Sequence, residues 1–539
     1  MKGLMQEFPL TLALAVRRTI ELGGAIEVVS AGPAGVDRRT WREVGERSLR
    51  VRGVLDELGV PAGRPVGSFA WNSHRHVELF LGVPCSGRVI HAVNVRLSED
   101  DVVDLIAHAG DEVLFVDAAL TGVLAPMRDR LRVREIVVME DGAEVDDAFA
   151  SSPRYEELLS GSEPDPELPP LAEDDAAWIC HTSGTTGRPK GVVSTHRSCV
   201  LHSMASLQVD NHAVSRRDTV LPVTPMFHAN AWGMPYTTAL AGSKLVLPGR
   251  DASPEALAAL IEAERVTVVG GVPTVFIRLL EAFEGERDLS SLRRVLVGGS
   301  SPPHSLVTAL VDRGIEFMQG WGMTEMHPSG TALNVVPGDR LARGRTEAVT
   351  SVGKATPCVE LRLVGDDGTV LPWDGQAVGE LEVRGPWVIR EYLDPEDDAN
   401  ETRFDDGWLR TGDLGRIAPD GTVEVVDRAK DLIKSGGEWI SSIELEQALC
   451  SHPAVAEVAV VALPDAEWGE RPAALVVPAP GSTAEPDELV DFLRGRVARW
   501  WLPDLVRFVP EIPKTAVGKY DKKRLREELA AELASGRST

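Results

Sequence analysis

The sequence predicts an α/β protein. A large N-terminal domain of mostly parallel sheets carries an antiparallel β subdomain, and a small α+β C-terminal domain follows. Three observations lead there. Short Val- and Ile-rich runs alternate with amphipathic stretches through residues 49–297, the pattern of a parallel sheet with crossover helices. Residues 351–426 instead hold short alternating runs punctuated by Asp-Gly pairs, the pattern of antiparallel hairpins. Finally, 539 residues exceed what one hydrophobic core supports, so at least two domains are expected.

Taken in order, the apolar run 9–16 reads as the start of an amphipathic helix. Glu7 precedes it, Arg17 and Arg18 follow it, and no small-residue cleavage site appears, so it is not read as a signal peptide. Residues 49–58 read as a helix before a Pro-Ala-Gly turn, and 100–109 as another. Runs 66–71, 88–93 and 112–116 read as strands, as do 219–223, 244–247, 266–269 and 295–297. Strands 359–364, 379–383 and 422–426 are separated by turns at Asp367-Gly368, Asp374-Gly375, Asp406-Gly407 and Asp420-Gly421. After Asp427 the pattern is helix (443–449), strand (454–463), helix (487–500). The expected domains are therefore 1–427 and 428–539, with a boundary at about 427–431.

Charge narrows the function. The formal net charge is −26, which argues against non-specific binding to nucleic acid or an anionic membrane. Only ten lysines occur, six of them at or after Lys430. The five cysteines are scattered without C-x-x-C spacing, so a reducing compartment and a cytoplasmic location are expected. No apolar run approaches the roughly 20 residues a membrane-spanning helix needs. The sequence leaves a homodimer open.

Five motifs carry chemistry. His181-Thr-Ser-Gly-Thr-Thr-Gly-Arg-Pro-Lys190-Gly191 follows the apolar run 176–180 and packs hydroxyls, glycines and two cations into eleven positions. Its glycines let successive N–H groups converge on phosphate oxygens, though it is not a Walker A loop. Gln319-Gly320-Trp321-Gly322-Met-Thr324-Glu325 supplies a flat aromatic face, a hydroxyl and a hard carboxylate suited to Mg²⁺. Trp408-Leu-Arg-Thr411-Gly412-Asp413 places a carboxylate after a tight turn, where it could accept from both hydroxyls of a ribose. Asp427-Arg428-Ala-Lys430-Asp-Leu-Ile-Lys434-Ser-Gly436-Gly437-Glu438-Trp439 gathers charge at the expected boundary, and 513–526 holds six cations against one acid. Each alone has an ordinary structural explanation: a surface loop, a core Trp, a turn Asp, a charged linker, a solvated tail.

Together and in this order they resemble the acyl-adenylate-forming (AMP-binding) enzymes over about residues 38–526. Within that superfamily, Pro225-Met-Phe-His228-Ala-Asn-Ala-Trp232 and the Lys430–Ser442 stretch look most like fatty acyl-CoA synthetases. The resemblance implies an ATP-dependent acid–CoA ligase with ATP, Mg²⁺ and CoA as its small molecules. It would activate a medium- or long-chain acid as acyl-AMP and then transfer the acyl group to CoA. The alternative is adenylation of a bulky specialised acid, handed on to a separate protein.

The resemblance also implies roles. Thr182, Ser183, Gly184, Thr185, Thr186, Gly187 and Lys190 would hold the ATP β- and γ-phosphates. Trp321, where Tyr is common, would stack on adenine, with Gln319 and Gly320 beside it. Thr324 would meet the α-phosphate and Glu325 the metal. Asp413 would hold the ribose, assisted by Arg428. Lys519 would bridge substrate carboxylate and α-phosphate. The small domain would be mobile, turning about Lys430 to withdraw Lys519 and bring Lys434, Gly436, Gly437, Glu438 and Trp439 to a CoA route. His228, Trp232, Gly298 and Gly322 would line the acyl pocket, with Gly299 and Ser300 beside the acyl carbonyl.

Overall fold

A computed structural model describes residues 3–534 apart from 166, 183–188, 284, 286, 337–350, 480 and 516–518. Three sheets organise it. The first has six strands in the spatial order Glu135–Met139, Val113–Asp117, Pro65–Phe69, Val89–Ala92, Ala176–His181 and Gly191–Thr195. All neighbours are parallel except the last pair, an antiparallel hairpin in which His181 faces Gly191. The second has 14 strands. Its centre is parallel, from Glu27–Gly32 across Lys244–Leu247, Thr219–Pro222, Val268–Gly271 and Arg294–Val297 to Glu316–Trp321.

The expected antiparallel strands are not a separate layer. From Thr331–Val335 onward they continue the same large sheet through Ser351–Ala355 and Val423–Arg428 to Trp408–Ile417. The third sheet has five strands, built from Ile433–Ser435, Glu438–Ile440, Val455–Asp465, Gly469–Pro478 and Leu505–Phe508. Its only parallel pair joins the last two. It has its own apolar core around Ile433, Leu445, Val458, Val476 and Leu489.

Local chemistry explains the elements that hold the site. The helix Trp41–Glu57 is longer than the expected 49–58, because Thr40 and Glu43 close a capping box at its start. The expected helix 487–500 is shorter: Pro486–Leu493 ends before Gly495, whose φ of 77° cannot continue a right-handed helix. A short 3₁₀ turn, Arg499–Trp501, takes up the rest. Among the described residues no helix is long and apolar enough to cross a membrane.

Candidate active site

A cavity of about 720 Å³ lies between the large and the small sheets, within the range of ligand sites. Residues at the ends of parallel strands line it, as the topology of open α/β sheets favours. Gly298, Gly299 and Ser300 follow the strand Arg294–Val297, and Gly322, Thr324 and Glu325 follow Glu316–Trp321. Thr182 and Lys190 flank the turn of the hairpin in the six-stranded sheet and also line the cavity. The Thr182 N–H donates to the Lys190 carbonyl at 2.9 Å. Ser183, Gly184, Thr185, Thr186 and Gly187 lie outside the described residues.

The cavity's cations and carboxylates are held in register. Asp413 sits inside the strand Trp408–Ile417, not simply after a turn, and opposes Arg428 on the neighbouring strand. One of its oxygens lies 3.3 Å from the Arg428 guanidinium. The other accepts from the Trp321 indole N–H at 2.8 Å. Trp321 is 8% exposed, packs against Gly330 and belongs to an apolar cluster with Met326 and Leu409. The sequence pointed to its aromatic face; its N–H bond to Asp413 is what the structure adds.

Glu325 accepts from the Tyr392 hydroxyl at 2.8 Å. The Lys190 ammonium pairs with Asp397 and lies 5.5 Å from the Tyr392 ring centre. Tyr392 therefore ties together two motifs far apart in the chain. Among the described residues no group of three His, Cys, Asp or Glu side chains forms a metal cage. A lone carboxylate such as Glu325 would fit Mg²⁺ if phosphates bind beside it, because Mg²⁺ is often held by one or two carboxylates plus substrate phosphates.

Lys519 reaches the cavity from the small sheet's side. Its Cε lies beside Gly299. Enclosure between the two sheets, and then the charge of Arg428, bring its pKa down to about 8, while Asp413 and Glu325 pull the other way. His228 is brought down to about 3, first by burial and then by Lys519 and Arg96, so it is a neutral imidazole near pH 7. Lys430 also lines the cavity. Its pKa is lowered, chiefly by desolvation.

Other expected residues stand elsewhere. Trp321 does not itself line the cavity and reaches it only through Asp413, and Gln319 is buried in the large sheet with its side-chain oxygen unpaired. Side chains alternate across a strand, and its neighbours Met318 and Gly320 are the ones that reach the cavity. Gly322 has a structural reason of its own: a Cβ there would lie 1.5 Å from the Pro328 carbonyl oxygen. Lys434, Gly436, Gly437, Glu438 and Trp439 are exposed and are not brought together with the cavity residues. Gly436 and Gly437 have φ of 60° and 87° and form the two-residue turn between Ile433–Ser435 and Glu438–Ile440. A hairpin turn of that length asks for positive φ at both positions.

Trp232 stands on an unusual turn. Ala229, Asn230, Ala231 and Trp232 all have φ between 44° and 58°, a left-handed conformation that costs about 1–2 kcal/mol per non-glycine residue. The indole lies against the backbone of Gly298 and Gly270 and forms part of an apolar wall with Leu296 and Met318.

Sequence reasoning did not find a chain of side chains beside Thr182 that runs from the buried Asp111 and His91 through His181 to the exposed His108. His91 donates or accepts at Asp111 (2.8 Å) and at His181 (3.0 Å), and His181 meets His108 at 2.9 Å. No spacing rule links these four residues; only the sheet order brings them together.

The sequence pattern of the AMP-binding enzyme family matches residues 22–393, and that of the AMP-binding enzyme C-terminal domain matches 444–519. The chain belongs to the AMP-binding enzyme family. Among its curated relatives is a long-chain-fatty-acid–CoA ligase of Thermus thermophilus, 42% identical over 97% of this chain and 96% of that protein. Another is a 3-methylmercaptopropionyl-CoA ligase of Ruegeria lacuscaerulensis, 40% identical over 99% and 100%. A solved anthranilate CoA ligase in complex with anthranoyl-AMP has a TM-score of 0.85 at 24% identity, covering 99% of this chain and 100% of its own; it shows the fold of this AMP-binding enzyme.

Proposed function

We propose that this protein is an ATP-dependent carboxylic acid–CoA ligase for medium- or long-chain acids. The observation that carries the reading is Lys519, a cation from the small sheet's side inserted beside Gly299 in a cavity with Thr324, Glu325 and Asp413. The activities named for the relatives support it.

In the first half-reaction the substrate carboxylate oxygen attacks the ATP α-phosphorus and pyrophosphate leaves, giving acyl-AMP. Two anions meet, so positioned cations must offset their repulsion as charge builds. Lys519 suits the point between carboxylate and α-phosphate, because a compact ammonium can serve two oxygens at once. Thr324 would donate to the α-phosphate. Lys190, with residues 182–187, would hold the outer phosphates once it leaves Asp397. Asp413, its carboxylate fixed by Trp321 and Arg428, would accept from the ribose hydroxyls, and Trp321 would border the adenine. Glu325, oriented by Tyr392, would hold Mg²⁺, which supplies charge neutralisation for the phosphates.

In the second half-reaction the CoA thiolate attacks the acyl carbonyl and AMP leaves. We infer that residues 428–539 act as a domain turning at 427–431, which withdraws Lys519 and presents Lys434 and the Gly436–Trp439 turn to CoA. Five free cysteines support a cytoplasmic location. The test is a panel of straight-chain acids assayed for pyrophosphate, AMP and thioester. Stoichiometric thioester and AMP, dependent on CoA, are expected. Pyrophosphate exchange without any thioester would overturn the ligase reading.

A further inference from the structure

The Lys190 side chain has two different surroundings. On one side it lines the cavity. On the other its ammonium pairs with Asp397, which does not line the cavity. Asp397 belongs to a closed loop built against the hairpin that carries Lys190. The Leu393 N–H donates to the carbonyl of Gly191, the residue after Lys190, at 2.8 Å. Asn400 closes the loop: its Oδ1 accepts from the Tyr392 N–H and its Nδ2 donates to the Asp394 carbonyl, each at 2.7 Å. The Asp397 carboxylate accepts from the Ala399 N–H at 2.8 Å. Desolvation pushes its pKa up, but Lys190 and that N–H outweigh it and hold the carboxyl below its usual range. The loop is thus shaped to present a charged carboxylate to this one ammonium.

We propose that Asp397 is a positioning residue that stands in for a phosphate: it holds Lys190 between turnovers, competes with the outer phosphates of ATP for it, and takes it back as pyrophosphate leaves. This rests on the ligase reading above and adds a residue that none of the sequence motifs contains. A carboxylate oxygen and a phosphate oxygen ask for the same donor, and a lysine ammonium is a compact point charge that serves either. The side chains of Lys190 and Asp397 are 25% and 22% exposed. A pair that solvent reaches is weak enough to exchange, because water screens it and hydrates each partner when they separate. The exchange therefore runs in both directions. ATP gains Lys190 at the cost of the pair with Asp397, so its affinity is held down. Pyrophosphate leaves an ammonium that has a partner waiting, so its departure strands no cation. A neutral side chain at position 397 would keep both ligands longer.

The experiment measures, in the full-length enzyme, KM for ATP and the inhibition constant of pyrophosphate in thioester formation. Asp397→Asn removes the charge and keeps an acceptor for the Ala399 N–H; Asp397→Ser is a second neutral variant. Both should lower the two constants by about fivefold, the scale of a partly exposed ion pair. Inhibition by AMP, which has no outer phosphates, should stay unchanged. In a Lys190→Met background the same neutralisation should move the pyrophosphate constant by less than about twofold, because the coupling goes with the partner. Constants that stay or rise in both neutral variants would overturn the proposal. So would a matching shift for AMP, the mark of a merely structural part, or equal tightening without Lys190, the mark of plain charge repulsion. Each of these leaves the ligase reading intact. Absence of pyrophosphate release by the wild-type enzyme with every acid of the panel would overturn both.

Discussion

Two parts of the small C-terminal sheet's surroundings stand in opposite situations. The segment carrying Lys519 is inserted in the cavity, and its ammonium is brought down to about 8 by enclosure. The Gly436–Gly437 turn carries Trp439 into solvent at 47% exposure, with the Lys434 ammonium 4.6 Å from its ring centre. On that side Gln447, in the helix Ser442–Cys450, donates to Ser301 of the large domain at 2.9 Å, and Arg526 pairs with Asp431 within residues 428–539 at 2.8 Å. The turn is tied within the small domain, the Lys434 N–H donating to Glu470 and the Gly436 N–H to the Trp468 carbonyl, each at 2.8 Å. Under the proposed function this would be the arrangement for the first step, with Trp439 brought in for the second.

The largest test of that contrast is Lys519→Ala. Adenylation should fall by at least ~10²-fold, the scale of a lost transition-state donor, while thioester formation from supplied acyl-AMP survives. Equal loss in both steps, measured separately, would end the division of labour. Next is pH. Above about 8 the free enzyme's Lys519 loses its proton, so kcat/KM for adenylation should decline with rising pH, by about tenfold at one unit above that value. The thioester step should lack this limb, and a shared limb would place Lys519 in both. Trp439→Ala should cut the thioester step about tenfold through loss of positioning and leave pyrophosphate release nearly unchanged. The smallest effect belongs to Gln447→Ala. Losing one neutral hydrogen bond, worth about 1 kcal/mol, should slow adenylation a few-fold and leave or slightly speed thioester formation in single-turnover assays.

The sequence displayed what chemistry compels residue by residue. A Gly/Thr-rich segment with Lys190, a carboxylate after Thr324, and a basic segment holding Lys519 in a lysine-poor chain are visible in the residues, and the resemblance singles Lys519 out from its neighbours. The alternation of strands and helices was equally visible, since period and turn residues are local properties. What was hidden depends on partners far away in the chain. Tyr392 stands 67 positions from Glu325, and Trp321 stands 92 from Asp413. Gln319 looked like part of its motif, but strand alternation buries it. Gly436 and Gly437 looked like room for a substrate arm, and backbone geometry gives them a second reason. The helix 487–500 failed at Gly495, whose left-handed φ outweighs the apolar periodicity around it.

The imidazole chain beside Thr182 fixes its own tautomers. With the Asp111 carboxylate accepting from His91 Nδ1, His91 Nε2 must itself accept, so His181 must donate from Nδ1 and accept at Nε2, and His108 must donate from Nδ1. Four residues on three stretches of chain then share a single proton polarity, written from the buried end outward.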